Sequence, residues 1–123
     1  MLFFSLVILI EVLAMTFSDV TKTFATSLPG TDSYVKLRKA MRTLIQDDPK
    51  NASVYFLIFG FARTYVMLYE DQEVSPQFAE DNQKLMLSYL NILDEALKKQ
   101  DAESIYQALN KVVNEYENSK KVF

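Results

Sequence analysis

Residues 49–70 read PKNASVYFLIFGFARTYVMLYE, and this stretch decides the fold. Lys50 and Arg63 are its only charged residues before Glu70. Its apolar residues recur every three or four positions on two adjacent faces, which is typical of a helix covered around most of its circumference. We therefore predict a helix at the centre of a bundle. One face carries Val54, Ile58, Phe61, Tyr65 and Leu68, and the other carries Tyr55, Phe59, Ala62, Val66 and Tyr69.

Further segments show the same spacing and are separated by short turns. The sequence Leu28-Pro29-Gly30 ends the first of them, because proline disfavours helical geometry in the residue before it. Short connections place consecutive helices side by side and antiparallel. The sequence therefore predicts an all-α fold in one domain, 1–123, an antiparallel helical bundle of four to five helices over residues 3–26, 32–46, 49–70, 76–99 and 101–119.

Short polar side chains precede the predicted helices and are expected to accept hydrogen bonds from the free amides of the first turn. Asp48 and Ser75 are each followed by proline, which suits the first helical position. Thr31 or Asp32 is expected to cap the second helix, and Asp101 the last.

The absence of histidine and cysteine from all 123 residues excludes several classes of function. Histidine is the commonest general base and metal ligand, and cysteine supplies disulfides and thiolate nucleophiles. The net charge is −3 with both signs spread along the chain, which argues against nucleic-acid binding. We expect a protein that is not an enzyme and has no bound metal or cofactor.

The apolar opening of the chain has three features that a signal peptide lacks. No Lys or Arg precedes the apolar run, Glu11 interrupts it, and no small-x-small cleavage site follows. A helical stripe also crosses the region where cleavage would fall. We therefore expect one helix, 3–26, that is retained in the mature protein. The stripe consists of Phe3, Leu6, Ile10, Leu13, Phe17, Val20 and Phe24.

Phe4, Ile8 and Val12 lie off this stripe at intervals of four residues. We expect them to bind a partner, because they add apolar surface that a monomer does not need. A second copy of the chain is the predicted partner, which makes the protein a homodimer. Another protein, or a membrane bound by residues 1–17, is the alternative. A neighbouring helix of the same chain is a further way to cover them.

Lys36, Arg38, Lys39 and Arg42 place four positive charges within seven residues of the second helix. Such a cluster suits an acidic protein partner, phosphate or lipid headgroups, and a solvated outer face is the simpler interpretation. These four residues form the second candidate partner-binding site.

Gly60, Arg63 and Glu11 are expected to have structural roles. A glycine inside a helix costs about 0.5–1 kcal/mol relative to alanine, so we expect another helix, rather than a ligand, to cross closely at Gly60. Arg63 and Glu11 are each the single charge within an apolar segment. Arg63 must either reach the surface along its aliphatic stem or pair with a carboxylate, for which Glu11 is the natural internal partner, because burying either charge alone would be costly.

Two short motifs indicate chemistry only weakly. Ser33 and Lys36 match S-x-x-K, in which a lysine activates a serine, but the companion motifs are missing. Five carboxylates near residues 70–81 suit a hard cation, but the glycine turn of a calcium loop is missing. Solvated charge is the simpler interpretation of the acidic group Glu70, Asp71, Glu73, Glu80 and Asp81.

The most economical interpretation is a cytoplasmic, non-enzymatic helical interaction protein, such as an adaptor, a regulatory subunit or a toxin-antidote-like module. One alternative is a membrane-anchored protein that inserts residues 1–17. Another is an apolar-ligand-binding bundle, in which the aromatic residues of the third helix and Tyr89, Tyr106 and Tyr116 line a pocket.

Overall fold

The computed structural model describes residues 15–123, and this part of the chain is all-α, as predicted. Its helical segments match the predicted ones to within a few residues, except at the first. A short 3-10 turn, Pro49–Asn51, precedes the third helix. The helices are α1 (Phe17–Thr26), α2 (Thr31–Asp47), α3 (Ala52–Tyr69), α4 (Pro76–Lys99) and α5 (Ala102–Glu117).

Two helical hairpins build the bundle. Helix α2 packs along α3, helix α4 packs along α5, and the short α1 contacts both α2 and α4. One continuous apolar core joins the hairpins, because side chains from all five helices meet in it. Among its most deeply buried side chains are Tyr34, Leu37, Met41, Ile58, Tyr65, Met86, Tyr89, Leu90, Leu93 and Val112.

The predicted continuous helix 3–26 is wrong at Thr16, where α1 is capped. The Asp19 amide donates to Thr16 Oγ1 at 3.1 Å, and the Thr16 amide donates to Asp19 Oδ2 at 3.2 Å. This reciprocal pair fixes Thr16 in an extended conformation, with φ −105° and ψ 162°, which ends helical geometry there. Within the described residues, the predicted stripe consists of Phe17, Val20 and Phe24, which are all buried. Residues 1–14 lie outside the described part of the chain.

Two of the predicted caps are confirmed and two are wrong. Ser75 Oγ accepts from the Phe78 amide at 3.0 Å, and Asp101 Oδ1 accepts from the Ser104 amide at 2.7 Å. Helix α2 instead begins at Thr31 after Gly30, without a side-chain cap, so neither Thr31 nor Asp32 has that role. Asp48 does not cap a helix either, because its carboxylate accepts from two side chains described below.

Helix α3 is buried on one broad face, not around its whole circumference. The inner face is buried as predicted from Val54 to Val66, whereas Leu68 of the predicted stripe is 51% exposed. Phe56 and Met67 point outward and are 64% and 67% exposed. The two predicted stripes are therefore buried except at Leu68, which is exposed, and Tyr69, which is half-buried. Neighbours within the described residues pack only against this inner side.

The close helix crossing predicted at Gly60 is wrong, whereas the pairing of Arg63 with Glu11 stays a prediction. A Cβ atom at Gly60 would meet nothing within 4 Å, so no helix crosses closely there. Arg63 is exposed and therefore needs no buried carboxylate. Its predicted partner, Glu11, lies outside the described residues.

Phe123 packs into the core on the side of the bundle away from the start of α1. Lys121 has a left-handed φ of 53°, which turns the chain back toward the core after α5. The Phe123 ring is only 1% exposed. Its centroid lies 5.4 Å from that of Phe61 and 6.1 Å from that of Tyr89. At this end of the bundle, the aromatic side chains therefore pack against one another.

Replacing Gly60 by alanine should raise the free energy of unfolding by about 0.5–1 kcal/mol, because a methyl group fits and alanine restricts the unfolded chain. Urea unfolding of the purified variant measures the change. Gly30→Ala is the matched control and should lower stability, since Gly30 has a φ of 144°. A loss of stability in Gly60→Ala would mean that something covers this position.

Replacing Phe123 by alanine should lower the free energy of unfolding by about 3 kcal/mol or more, because it empties a large buried volume. Urea unfolding again measures the effect. Exposed Lys120 provides the control, and Lys120→Ala should leave stability nearly unchanged. Equal stabilities of the two variants would contradict the packing described for Phe123.

Candidate partner-binding groove

A groove of about 1150 Å³ opens at the end of the bundle where α1, α3 and α5 begin and α2 and α4 end. We call it the end groove. Small side chains at the first turns of α3 and α5, Ser53 and Ala102, line it and leave space that larger residues would fill. Its apolar walls come from both hairpins and include Leu44, Val54, Leu97, Ile105, Tyr106 and Leu109.

Helix α5 supplies the most accessible wall. Tyr106 is 64% exposed, and Ile105 and Leu109 are half-buried beside it. Val113 lies two turns further along the same face and is 42% exposed. An apolar strip therefore leads from the end groove along the outside of α5. Tyrosines with an apolar body and a free hydroxyl are common at protein interfaces.

A hydrogen-bonded cluster around Asp48 organises one side of the rim. The Tyr55 hydroxyl donates to Asp48 Oδ2 at 2.6 Å, and Asn51 Nδ2 donates to the same oxygen at 2.8 Å. These two bonds hold the pKa of Asp48 below its ordinary value, and the bond from Tyr55 contributes more than the bond from Asn51. Burial, followed by the Asp48 contact, raises the pKa of Tyr55 and keeps it protonated as a donor.

Asp94 organises the other side of the rim. Ser18 Oγ donates to Asp94 Oδ2 at 3.4 Å, which ties the start of α1 to α4. Lys98 Nζ lies 3.4 Å from the same oxygen. The carboxylates of Asp48 and Asp94 are thus both engaged by side chains of the chain itself.

The predicted basic residues do not converge on this groove. Lys36, Lys39 and Arg42 are exposed and Arg38 is half-buried, and the four spread over roughly 160° of the α2 surface. The Arg42 guanidinium carbon lies 4.7 Å from the centre of the Phe59 ring, a cation–π contact within the hairpin. Within residues 15–123, none of the four has a carboxylate oxygen within 4.0 Å.

The remaining predicted site residues lie elsewhere. Phe4, Ile8 and Val12 lie outside the described residues. Ser33 is buried, and its hydroxyl donates to the Gly30 carbonyl at 2.8 Å, which is a turn contact. Within residues 15–123, no three carboxylates lie close enough together to hold a metal ion.

The end groove itself was not predicted, because it is lined by residues from both hairpins. Its only sequence signal is Tyr106, a large aromatic residue beside the buried stripe of α5. Of the three tyrosines expected to line a ligand pocket, Tyr89 and Tyr116 pack near Phe123, and only Tyr106 lines the groove.

Comparison with protein-family models, with curated proteins and with solved structures gave no match. One segment of the described residues, Pro49–Tyr69, is long and apolar enough to cross a membrane by length and composition alone. About 44% of its most apolar window is buried in the protein, and the core helix of a soluble protein passes the same test.

Replacing Tyr55 by phenylalanine should raise the pKa of Asp48 toward its ordinary value of about 3.9, because the strongest bond to the carboxylate is lost. A lowered pKa stabilises the fold above that ordinary value, and the stabilisation disappears as the pH falls through the folded-state pKa. We therefore expect Tyr55→Phe to lose less stability than the wild type when the pH is lowered from 5 toward 2.

Carboxyl carbon shifts in an NMR titration measure the pKa of Asp48 directly. Tyr106→Phe is the control, because the exposed Tyr106 hydroxyl makes no hydrogen bond to Asp48. An unchanged Asp48 pKa in Tyr55→Phe would contradict the described cluster.

Proposed function

We propose that this chain is a non-enzymatic helical interaction protein that binds an apolar helical segment of a partner protein in the end groove. The main support is the groove itself, which is open and has apolar walls from both hairpins. The lack of histidine and cysteine in the sequence supports a binding role over a catalytic one.

The dimensions of the groove favour a helix over a small molecule. Typical small-molecule pockets have volumes of about 300–1,000 Å³ and bury most of their ligand. The end groove is larger, at about 1150 Å³, and it is open to solvent. A helix about 10–12 Å wide would place roughly two to three turns in that volume. Helix-in-groove binding uses apolar side chains at positions i, i+3 or i+4, and i+7.

The polar rim supports specificity for a particular helix. Asp47 and Lys50 both line the groove and carry opposite charges. Because both are exposed, they can be matched by charges that flank the apolar face of a partner helix at little cost of desolvation. Apolar contacts would supply most of the affinity, and the rim would select the orientation of the helix.

Membrane association is the second candidate function, and the outer face of α3 favours it. Phe56, Met67 and Leu68 are more than half exposed on a segment that has the length and composition of a membrane span. Arg63 lies between Phe56 and Met67 on this face, where it suits a headgroup better than the hydrocarbon interior.

We expect Tyr106→Asp to weaken binding of the specific partner by at least tenfold, because it puts a charge into the wall of the groove. Purified wild type and variants, each checked by circular dichroism, serve as baits in extracts of the native organism, and mass spectrometry quantifies the bound proteins. Leu28→Ser is the control, since Leu28 is 88% exposed in the turn between α1 and α2.

The proposal requires a protein that wild type and Leu28→Ser retain and Tyr106→Asp loses. Equal capture by all three baits would place binding away from the groove. The membrane function would be favoured by two results together. Wild type and Tyr106→Asp would co-sediment equally with anionic vesicles, and no captured protein would depend on the groove.

A further inference from the structure

The two hairpins carry net charges of opposite sign. Residues 31–70, which contain α2 and α3, include six basic and four acidic residues, a net charge of +2. Residues 71–123, which contain α4 and α5, include six basic and ten acidic residues, a net charge of −4. The α2–α3 hairpin is therefore basic although the chain as a whole has a net charge of −3. Such a charge asymmetry turns the basic side of a molecule toward an anionic surface.

An arginine and two phenylalanines pack in a row across the outer side of this hairpin. The Arg42 guanidinium carbon lies 4.7 Å from the centre of the Phe59 ring. The Phe59 ring stacks in turn on that of Phe56, with centroids 5.9 Å apart, and Phe56 is 64% exposed. A guanidinium that lies over a ring still has its N–H donors at its edges, where they can bind a phosphate.

Two further arginines lie beside this row. Arg63 follows Phe59 by four residues, which places it one helical turn further along α3. Helices α2 and α3 are joined by residues 48–51 alone, and they pack antiparallel along each other. The turn of α3 after Phe59 therefore lies beside the turn of α2 before Arg42, which carries Arg38. Within residues 15–123, no carboxylate oxygen lies within 4.0 Å of any of these three arginines.

Exposed apolar side chains lie on both sides of Arg63 along α3. Phe56 precedes it by seven residues and Met67 follows it by four, so all three share one side of the helix. Met67 is 67% exposed. We call the combined surface the arginine face, and it consists of Arg38, Arg42, Phe56, Arg63 and Met67.

The shape of the arginine face favours a flat lipid surface over a partner helix. A partner helix binds in a concave groove. Neither the end groove nor the smaller groove of about 150 Å³ between α1 and α2 is lined by any residue of the arginine face. Its side chains instead project from the outer sides of two adjacent helices. Basic heads beside exposed aromatic and methionine side chains are suited to the boundary between lipid headgroups and acyl chains.

We propose that the folded bundle docks on an anionic lipid surface through the arginine face. The guanidinium groups of Arg38, Arg42 and Arg63 bind lipid phosphates, and Phe56 and Met67 enter the headgroup boundary. Helix α3 then lies parallel to the surface and does not cross the membrane. The proposal rests on the second candidate function, membrane association, which it assigns to a lipid charge and to a face. It does not depend on the end groove.

Flotation of the full-length chain with vesicles of two compositions tests the proposal. One composition is equimolar phosphatidylcholine and phosphatidylserine, and the other is phosphatidylcholine alone. The ratio of the two affinities is measured, because it reports the preference for anionic headgroups whatever residues 1–14 contribute to both.

Two triple variants carry the same change of net charge on different hairpins, and circular dichroism checks that each is folded. The first removes the three arginines of the face, in Arg38→Gln, Arg42→Gln, Arg63→Gln. The matched control removes three exposed lysines from residues 71–123, in Lys99→Gln, Lys111→Gln, Lys120→Gln.

We expect wild type and the lysine control to bind the anionic vesicles at least tenfold more tightly than the neutral ones. The arginine variant should lose this preference, because each basic residue at an anionic surface contributes about fivefold to the affinity. High salt should also remove it, since salt screens exposed charges. Equal losses in the two triple variants would mean that net charge alone attracts the chain, and would overturn the proposal.

A second variant tests the docked orientation without changing the charge. Phe56→Ser, Met67→Ser alters only exposed side chains, so it should fold and should bind the anionic vesicles severalfold more weakly. Leu28→Ser is the control, because Leu28 is 88% exposed away from the arginine face. Unchanged binding by the double variant would overturn this orientation.

The outcomes separate this proposal from both candidate functions. Equal binding to the two compositions would leave membrane association standing and overturn the role of lipid charge. No binding to either would overturn both. An acidic protein held by the three arginines, without vesicle binding, would assign the face to a protein partner and overturn the proposal. Tyr106→Asp should leave vesicle binding unchanged, because Tyr106 lies on α5, so failure of the groove function would not affect this test.

Discussion

The structure depends on covering the inner face of α3, which carries four buried aromatic side chains, Tyr55, Phe59, Phe61 and Tyr65. Tyr65 of α3 stacks on Tyr34 of α2, with ring centroids 3.7 Å apart and planes 10° from parallel. Both residues are fully buried, and their hydroxyls have no hydrogen-bond partner within the described residues. Burial raises the pKa of both, so they stay neutral. The hairpin tolerates two unpaired hydroxyls because the stacked rings bury so much apolar surface.

This hairpin determines where the other helices lie. The α4–α5 hairpin covers the aromatic cluster at the end where Phe123 turns inward. At the other end the first turns of α3 and α5 present Ser53 and Ala102, which do not fill the space between the hairpins. Packing is therefore dense at one end and open at the other. The asymmetry follows from the position of large and small side chains along the helices.

The sequence predicted the fold better than the site, and the physical reasons differ. Three-and-four spacing identifies which face of a helix is apolar, so the bundle and four of its helices were found. It does not say how much of the circumference neighbours cover, which is why the expectation of a close helix crossing at Gly60 failed. Thr16 and Asp19 show that a local interaction can end a helix. Their capping box starts α1 at Phe17, although the apolar spacing of the sequence continues across Thr16. The groove is non-local and depends on how two hairpins meet.

The rim of the end groove is organised by bonds within the chain itself, which would affect the energetics of the binding proposed above. Asp48 and Asp94 have their hydrogen bonds within the chain, so little ordering entropy is lost there when a ligand enters.

In the proposed function, a partner helix would also make contacts beyond the groove. The strip from Tyr106 to Val113 continues beyond the groove along the outside of α5, and both side chains are substantially exposed. A helix longer than two to three turns would extend from the groove onto this strip and bury more apolar surface. Selectivity for such a partner would then depend on helix length as well as on sequence, because a short apolar helix would contact only the groove.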